Sequence, residues 1–225
     1  MSNMFLNNLS NTEFINLFGL HPNELIYDII ISPIITKKFI PNDIIIQSNT
    51  KNLFKSYTIK INNKIYLLFK TLPYYGYNID LINFLYPYIK NKNIFFFGAA
   101  GILDDSLKLN QLLQVNTLSY VDMNNNIKDK IQINTEHEAI SLLSLPFISL
   151  ETKQNLSFYL QKGFQSIDLE AGFVADILYK YNIVNNFKVF IFGSDYPFEQ
   201  EILTLNTNNF NSLTQTNFLK FLDYL

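Results

Sequence analysis

Cysteine is absent from the 225 residues, which removes disulfides, thiolate metal sites, cysteine nucleophiles and redox chemistry at sulfur together. Arginine is absent too, so every basic side chain is a lysine and no bidentate guanidinium fork exists to hold a phosphate. Charge of either sign is not in excess: 17 basic residues face 19 acidic ones, a net of -2, which argues against a polyanion as partner. A membrane is equally poorly served. The longest apolar run, IFFFGAAGIL, is well short of the ~20 residues that cross a bilayer, and MSNMFLNNLSNTEF lacks the basic start and apolar stretch of a signal peptide. These features predict a cytoplasmic protein that binds neither nucleic acid nor membrane. His21 and His137 stand alone, with no ligand spacing around them, so no metal is expected. A Walker loop, a Gly-x-Gly-x-x-Gly turn and a Gly-x-Ser-x-Gly elbow are all missing as well.

What is present suffices for one large core: 48% of residues are hydrophobic and 16% aromatic, and no repeat or linker interrupts the chain. A single domain over residues 1–225 is expected, with residues 1–26 as a variable N-terminal helical segment. There Asn11 is the expected N-cap and Gly19 lies near a helix end. YDIIISPII (27–35) is a continuous β-branched run of the kind buried on both faces of a sheet, and Pro33 stops its pairing. KSYTIKINNKIYLLFKT (55–71) alternates around Asn62-Asn63 and predicts a hairpin. NIDLINFLYPYI (78–89) has helical spacing and precedes a second buried strand, NIFFFGAAGIL. LETKQNLSFYLQKG reads as a helix ending at Gly163, KVFIFGSDYP as a last buried strand and TQTNFLKFLDYL as a closing amphipathic helix. Alternating helices and buried strands predict an α/β domain: a three-layer α/β/α arrangement around a mixed, mostly parallel twisted sheet. Ligands of such sheets bind beyond the carboxyl ends of the strands.

Three strand ends carry unusual residues. In SIDLEAGFVADIL (166–178), Asp168 and Glu170 sit where a buried strand runs into an apolar helix. Each has two readings, as a cap on the helix terminus or as a ligand-binding acid. Gly98, Ala99, Ala100 and Gly101 end a Phe-rich strand with almost no side chain, which lets a ligand approach the backbone or merely permits tight packing. Asp195 leaves a buried strand before Tyr-Pro, as a functional acid or as a turn former.

In their order along residues 27 to 200, these segments resemble the purine nucleoside phosphorylase/uridine phosphorylase superfamily, which includes the methylthioadenosine/S-adenosylhomocysteine nucleosidases. FFFGAAGILDDSLKLNQLL is similar to its Gly-Ser-x-Gly-x-Leu strand end, SLPFISLET to its Ser-x-Asp-x-Phe segment and GFQSIDLEAGFVADIL to its Val-Glu-Met-Glu-Ala segment. IFGSDYPFEQE resembles its Val-Ser-Asp strand end. Upstream, DIIISPIITKKFI resembles its first strand and phosphate loop, and KSYTIKINNKIYLLFKT its hairpin. Leu169 stands where the family has Met. The resemblance implies cleavage of the N-ribosidic bond of a purine-type nucleoside, by phosphorolysis or by hydrolysis, in a homo-oligomer (dimer, trimer or hexamer) that needs no cofactor. Asp195 then protonates the base, Glu170 holds the ribose hydroxyls, and Asp168 and Leu169 lie nearby. Phe147 stacks on the base, and Gly98, Ala99, Ala100 and Ser194 complete the pocket. Phosphate, as co-substrate, would meet Lys37 or Lys38 as point charges, since the family's arginines are replaced at the loop by Thr36, Lys37 and Lys38 and at the strand by Phe96. The nucleosidases' water-activating glutamate has no counterpart in that loop, so the acceptor stays open. Two further readings stand beside this one: a nucleoside- or nucleobase-binding member without turnover, and a fold whose acids are only caps.

Overall fold

The computed structural model describes residues 9–72, 75–135, 139–199 and 207–225, so His137 lies outside the described residues, as does part of the aromatic stretch at 73–77. Among the described residues ten strands belong to one sheet, joined by five α-helices and several single 3₁₀ turns. The first helix, α1 (Asn11–Phe18), is capped by Ser10, one residue before the expected Asn11. Ser10 and Glu13 form a reciprocal capping box, and Gly19 closes the helix with φ 67.

Strand β1 (Asp28–Ser32) lies between β4 (Lys64–Lys70) and β5 (Ile94–Ile102), parallel to both. β3 (Lys55–Ile61) and β4 form the hairpin expected from sequence, turning through Asn62 and Asn63 with both φ positive, as a tight right-twisting hairpin requires. β2 (Ile45–Asn49) adds to its outer edge. On the other side the sheet does more than the alternation of elements foretold, because it closes on itself. β10 (Phe187–Asp195) pairs in parallel with β5 and antiparallel with β6 (Leu112–Tyr120). β6 pairs with β8 (Ala139–Ser144), β8 with β9 (Ser166–Asp168), and β9 returns antiparallel to β5. These five strands make a ring, and β7 (Ile131–Gln132) pairs with its β6 member.

The period of two along the buried strands explains the layers. Ile29 and Ile31 join Phe96, Val189 and Ile191 in a core covered by α1, α2 (Tyr75–Ile89) and α4 (Ala171–Lys180). The residues between them, Ile30, Phe97, Phe190 and Phe192, point the other way, onto Phe218 and Phe221 of α5 (Thr207–Leu222). Each strand is therefore apolar throughout because both of its faces are covered. A smaller cluster of Leu143, Leu145, Leu156 and Phe164 packs α3 (Lys153–Gln161) beside β8. The carboxyl ends of β5, β9 and β10 come together at one rim of the ring.

Candidate active site

At that rim lies a cavity of about 160 Å³. Pro33 and Ile34 line it from the end of β1, and Ala99, Ala100 and Gly101 from β5. Asp168, Leu169 and Glu170 line it from the β9–α4 junction, and Ser194 and Asp195 from β10. Ile148 and Glu151 close it from the 3₁₀ turn Ile148–Leu150 and the residue after it.

The two acids of the β9–α4 junction do different things. Asp168 is the cap: its Oδ2 accepts from the backbone N–H of Ala171 at 2.9 Å, and its Oδ1 accepts from the Ser144 hydroxyl on neighbouring β8. The Ser144 oxygen in turn accepts from the Gly172 N–H at 2.6 Å, so strand and helix are stapled together through one hydroxyl. Glu170 occupies the N-cap position yet makes no capping bond with its side chain. Buried at 5% exposure, it lines the cavity instead. Burial, followed by the neighbouring Asp168 charge, pushes its carboxyl well above the ordinary 4.5. Asp168 is also raised by burial, but its hydrogen bonds favour the ionised form, so of the pair Asp168 holds the charge and Glu170 the proton.

This has a measurable consequence. A carboxyl raised in the native state binds its proton more tightly folded than unfolded. Its stabilising contribution is complete below the unfolded value near 4.5 and drains away as pH rises through the folded value. Glu170→Gln should therefore raise the melting temperature at about pH 7 and do so less at about pH 5. Thermal denaturation of both proteins at the two pH values checks this. A variant no more stable than the parent at neutral pH would show that Glu170 is paired rather than stranded.

Asp195 owes its aim to an irregularity. Gly193 pairs with Ala100 and Asp195 with Gly101, so Ser194 is an extra residue in β10, a bulge that turns the strand end toward the cavity. The Ser194 hydroxyl lies 2.5 Å from Asp195 Oδ1 and 3.2 Å from the Ala100 carbonyl. Burial raises the Asp195 carboxyl, and the Ser194 hydrogen bond partly opposes it. Gly101 must stay small for a local reason: a Cβ there would lie 2.5 Å from Pro197 Cγ.

Asp168, Leu169, Glu170, Ala99, Ala100, Ser194 and Asp195 thus meet at one cavity, as expected from sequence. Four other candidates are placed elsewhere. Gly98 lies behind the wall, its missing side chain facing the Phe96 ring at 2.7 Å. Phe147 is 48% exposed and its neighbour Ile148 takes the place on the wall. Lys37 and Lys38 sit in a 3₁₀ turn off the cavity, where Lys38 Nζ donates to Asn211 Oδ1 at 2.8 Å and lies 4.5 Å from the Phe39 ring. Glu151 is the residue that sequence reasoning passed over. It stands in a polar run at a helix start, and only the tertiary fold turns it inward, where burial and then the charge of Asp195 push its carboxyl up to about 7.

No protein-family model matches the chain, and no curated protein does. Solved structures do. Futalosine hydrolase of Helicobacter pylori superposes with a TM-score of 0.70 at 16% identity, over 90% of this chain and all of that one. The 5'-methylthioadenosine/S-adenosylhomocysteine nucleosidase of the same organism, solved with butyl-thio-DADMe-Immucillin-A, gives 0.69 at 16% identity over 89% of this chain and all of that one. An S-adenosylhomocysteine nucleosidase from Streptococcus pyogenes gives 0.63 at 12% identity, over 84% and 94%. At these identities the likeness is one of architecture, and it covers nearly the whole chain: the protein has the α/β fold of these nucleosidases, the fold that its sequence resemblance implied.

Proposed function

We propose that the chain hydrolyses the N-ribosidic bond of a purine-type nucleoside, with Asp195 as the acid that protonates the departing base and Glu170 on the sugar hydroxyls. The observation that carries this reading is the charge of the wall: four carboxyls, Asp168, Glu170, Glu151 and Asp195, and among the described residues no lysine or histidine. A phosphate dianion entering that wall meets only like charge, whereas water and a sugar acquiring positive charge do not. Lys37 and Lys38 lie away from it, which favours water over phosphate as acceptor. The solved structures of like fold are named for hydrolytic enzymes, a futalosine hydrolase and nucleosidases, which supports the same choice.

The bond breaks with its electron pair going to the base nitrogen, which takes the proton from Asp195. The sugar carbon becomes electron-poor, and a carboxylate bonded to its hydroxyls interacts more strongly there than in the ground state. Water adds to that carbon and its proton passes to solvent. Glu170 is suited to this because it has no protein donor to satisfy and gains its charge only when a ligand's hydroxyls reach it. Ser144 and Asp168 hold the helix start that positions it. Ala99 and Ala100 leave the backbone open to the ligand, and Leu169 and Ile148 offer apolar surface to a base.

A homo-oligomer suits the site: the exposed Phe147 and Ile148 beside it form an apolar lip that a second copy would cover. No helix among the described residues is long and apolar enough to cross a membrane.

Incubation with adenosine, inosine and methylthioadenosine, with and without phosphate, should release free base at a rate independent of phosphate. A rate proportional to phosphate would replace hydrolysis with phosphorolysis. Thermal stabilisation by a nucleoside with no base released would leave a binding protein in place of an enzyme.

A further inference from the structure

Glu151 has no task in the chemistry just described, yet its position is specific. It follows the turn Ile148–Leu150 and precedes the Thr152 cap of α3, so its backbone is held from both sides. Its own N–H donates to the Ile148 carbonyl at 3.0 Å. Its side chain reaches the cavity wall, where no described protein group donates a hydrogen bond to it. Across that cavity β10 presents Asp195 with the Ser194 hydroxyl, and the β9–α4 junction presents Asp168 and Glu170. β5 contributes only Ala99, Ala100 and Gly101, and the end of β1 only Pro33 and Ile34. Lys153, two residues on, is exposed to solvent. Nothing cationic faces Glu151; the charge that acts on it is that of Asp195.

We propose that Glu151 and Asp195 form one acid unit, a facing carboxyl pair that shares a single proton at the base end of the cavity. Glu151 is thereby a positioning residue that keeps that proton on Asp195 until the base departs. The inference deepens the proposed hydrolysis and rests on it for its catalytic meaning, while the pair itself exists without substrate. Two carboxyls facing each other without a cation cannot both ionise cheaply, so the first ionisation of the pair is easy and the second is resisted. Asp195 has the Ser194 hydroxyl beside it and the bulge behind it, so it is the member placed to deliver. When the glycosidic electron pair moves onto the base nitrogen, that nitrogen takes the proton of Asp195. The pair is then doubly charged until the neutral base leaves and one proton returns from solvent.

The test has two arms. In the first, base release by the parent, Glu151→Gln and Glu151→Asp is followed across pH. Removing the facing charge lets Asp195 lose its proton earlier, so the alkaline limb of Glu151→Gln should move down by on the order of one pH unit. The ratio of parent to variant activity then widens as pH rises, and Glu151→Asp, which keeps the charge, restores most of the limb. A ratio that is constant across pH, as a merely structural role would give, overturns the proposal. In the second arm, ¹³C-carboxyl NMR of aspartate-labelled, ligand-free protein follows the Asp195 resonance, assigned by its loss in Asp195→Asn. Its midpoint should fall in Glu151→Gln, and an unmoved midpoint overturns the pair. Because this arm needs no turnover, a protein that cleaves no nucleoside but shows the shift would refute hydrolysis and keep the pair. One that cleaves nucleosides without the shift would do the reverse.

Discussion

Asp195→Asn is expected to cut base release by roughly 10²- to 10⁴-fold, the usual worth of a positioned general acid. The amide fills the same volume and can still accept from the Ser194 hydroxyl at the β10 bulge, so the strand end stays as it is. What it lacks is a proton to give at neutral pH. Since protonation matters only as the bond breaks, the loss should appear in kcat, with KM changed little. Stability should hold or rise slightly, because the substitution removes a carboxyl that burial already disfavours in its ionised form. Steady-state kinetics together with a melting curve decide the matter. Activity within about tenfold of the parent, in a folded variant, would remove Asp195 from the acid role.

The second large effect is on folding. Gly172 is the second residue of α4, and a Cβ added there would press into the backbone carbonyl oxygen of Ser119 on β6 and lie 2.9 Å from Ser144 Oγ. Alanine would ordinarily favour a helix over glycine by about 1 kcal/mol. Here overpacking against a strand that cannot retreat costs about 1–3 kcal/mol or more. Pushing Ser144 aside also breaks the bonds it makes to Asp168 and Gly172, which costs about 1–3 kcal/mol for buried groups left unpaired. The opposing terms leave Gly172→Ala destabilised by about 2–4 kcal/mol, a fall in melting temperature of roughly 5–15 °C for a chain of this size. A melting temperature equal to the parent's would mean that the helix start can slide, and that the clamp described for Asp168 is loose.

Much of this was legible in the residues because local rules and tertiary environment agreed. The β-branched and Phe-rich runs of β1, β5 and β10 are apolar at every position, which only a sheet covered on both faces explains. Asn62-Asn63 and Gly19 name their turns through the positive φ that they adopt. The ring closure was not legible: β9 has three residues, too few to show a period, and its pairing with β5 joins segments about 65 residues apart. The roles of Asp168 and Glu170 were separable only in three dimensions. A spacing of two puts both on one face of a continuing strand, but the strand ends at Asp168 and the helix begins after Glu170, so one caps and the other faces the cavity. Phe147 and Ile148 show the converse, since one residue of register in a short turn decides which of them reaches the wall. Lys37 and Lys38 follow the right strand, yet the turn that they form sends Lys38 to Asn211 of α5. Glu151 was invisible because its burial is contributed by elements distant in sequence.

The longest parallel ladder in the molecule joins β5 to β10, and it carries Ala100, Gly101 and Asp195 at its end. Amide protons along such a ladder exchange with solvent only when the whole domain opens, so this wall of the site belongs to its most slowly exchanging unit. A ligand therefore meets a wall already set in place, and sequence changes that loosen the centre of the protein will blunt its chemistry in the same stroke.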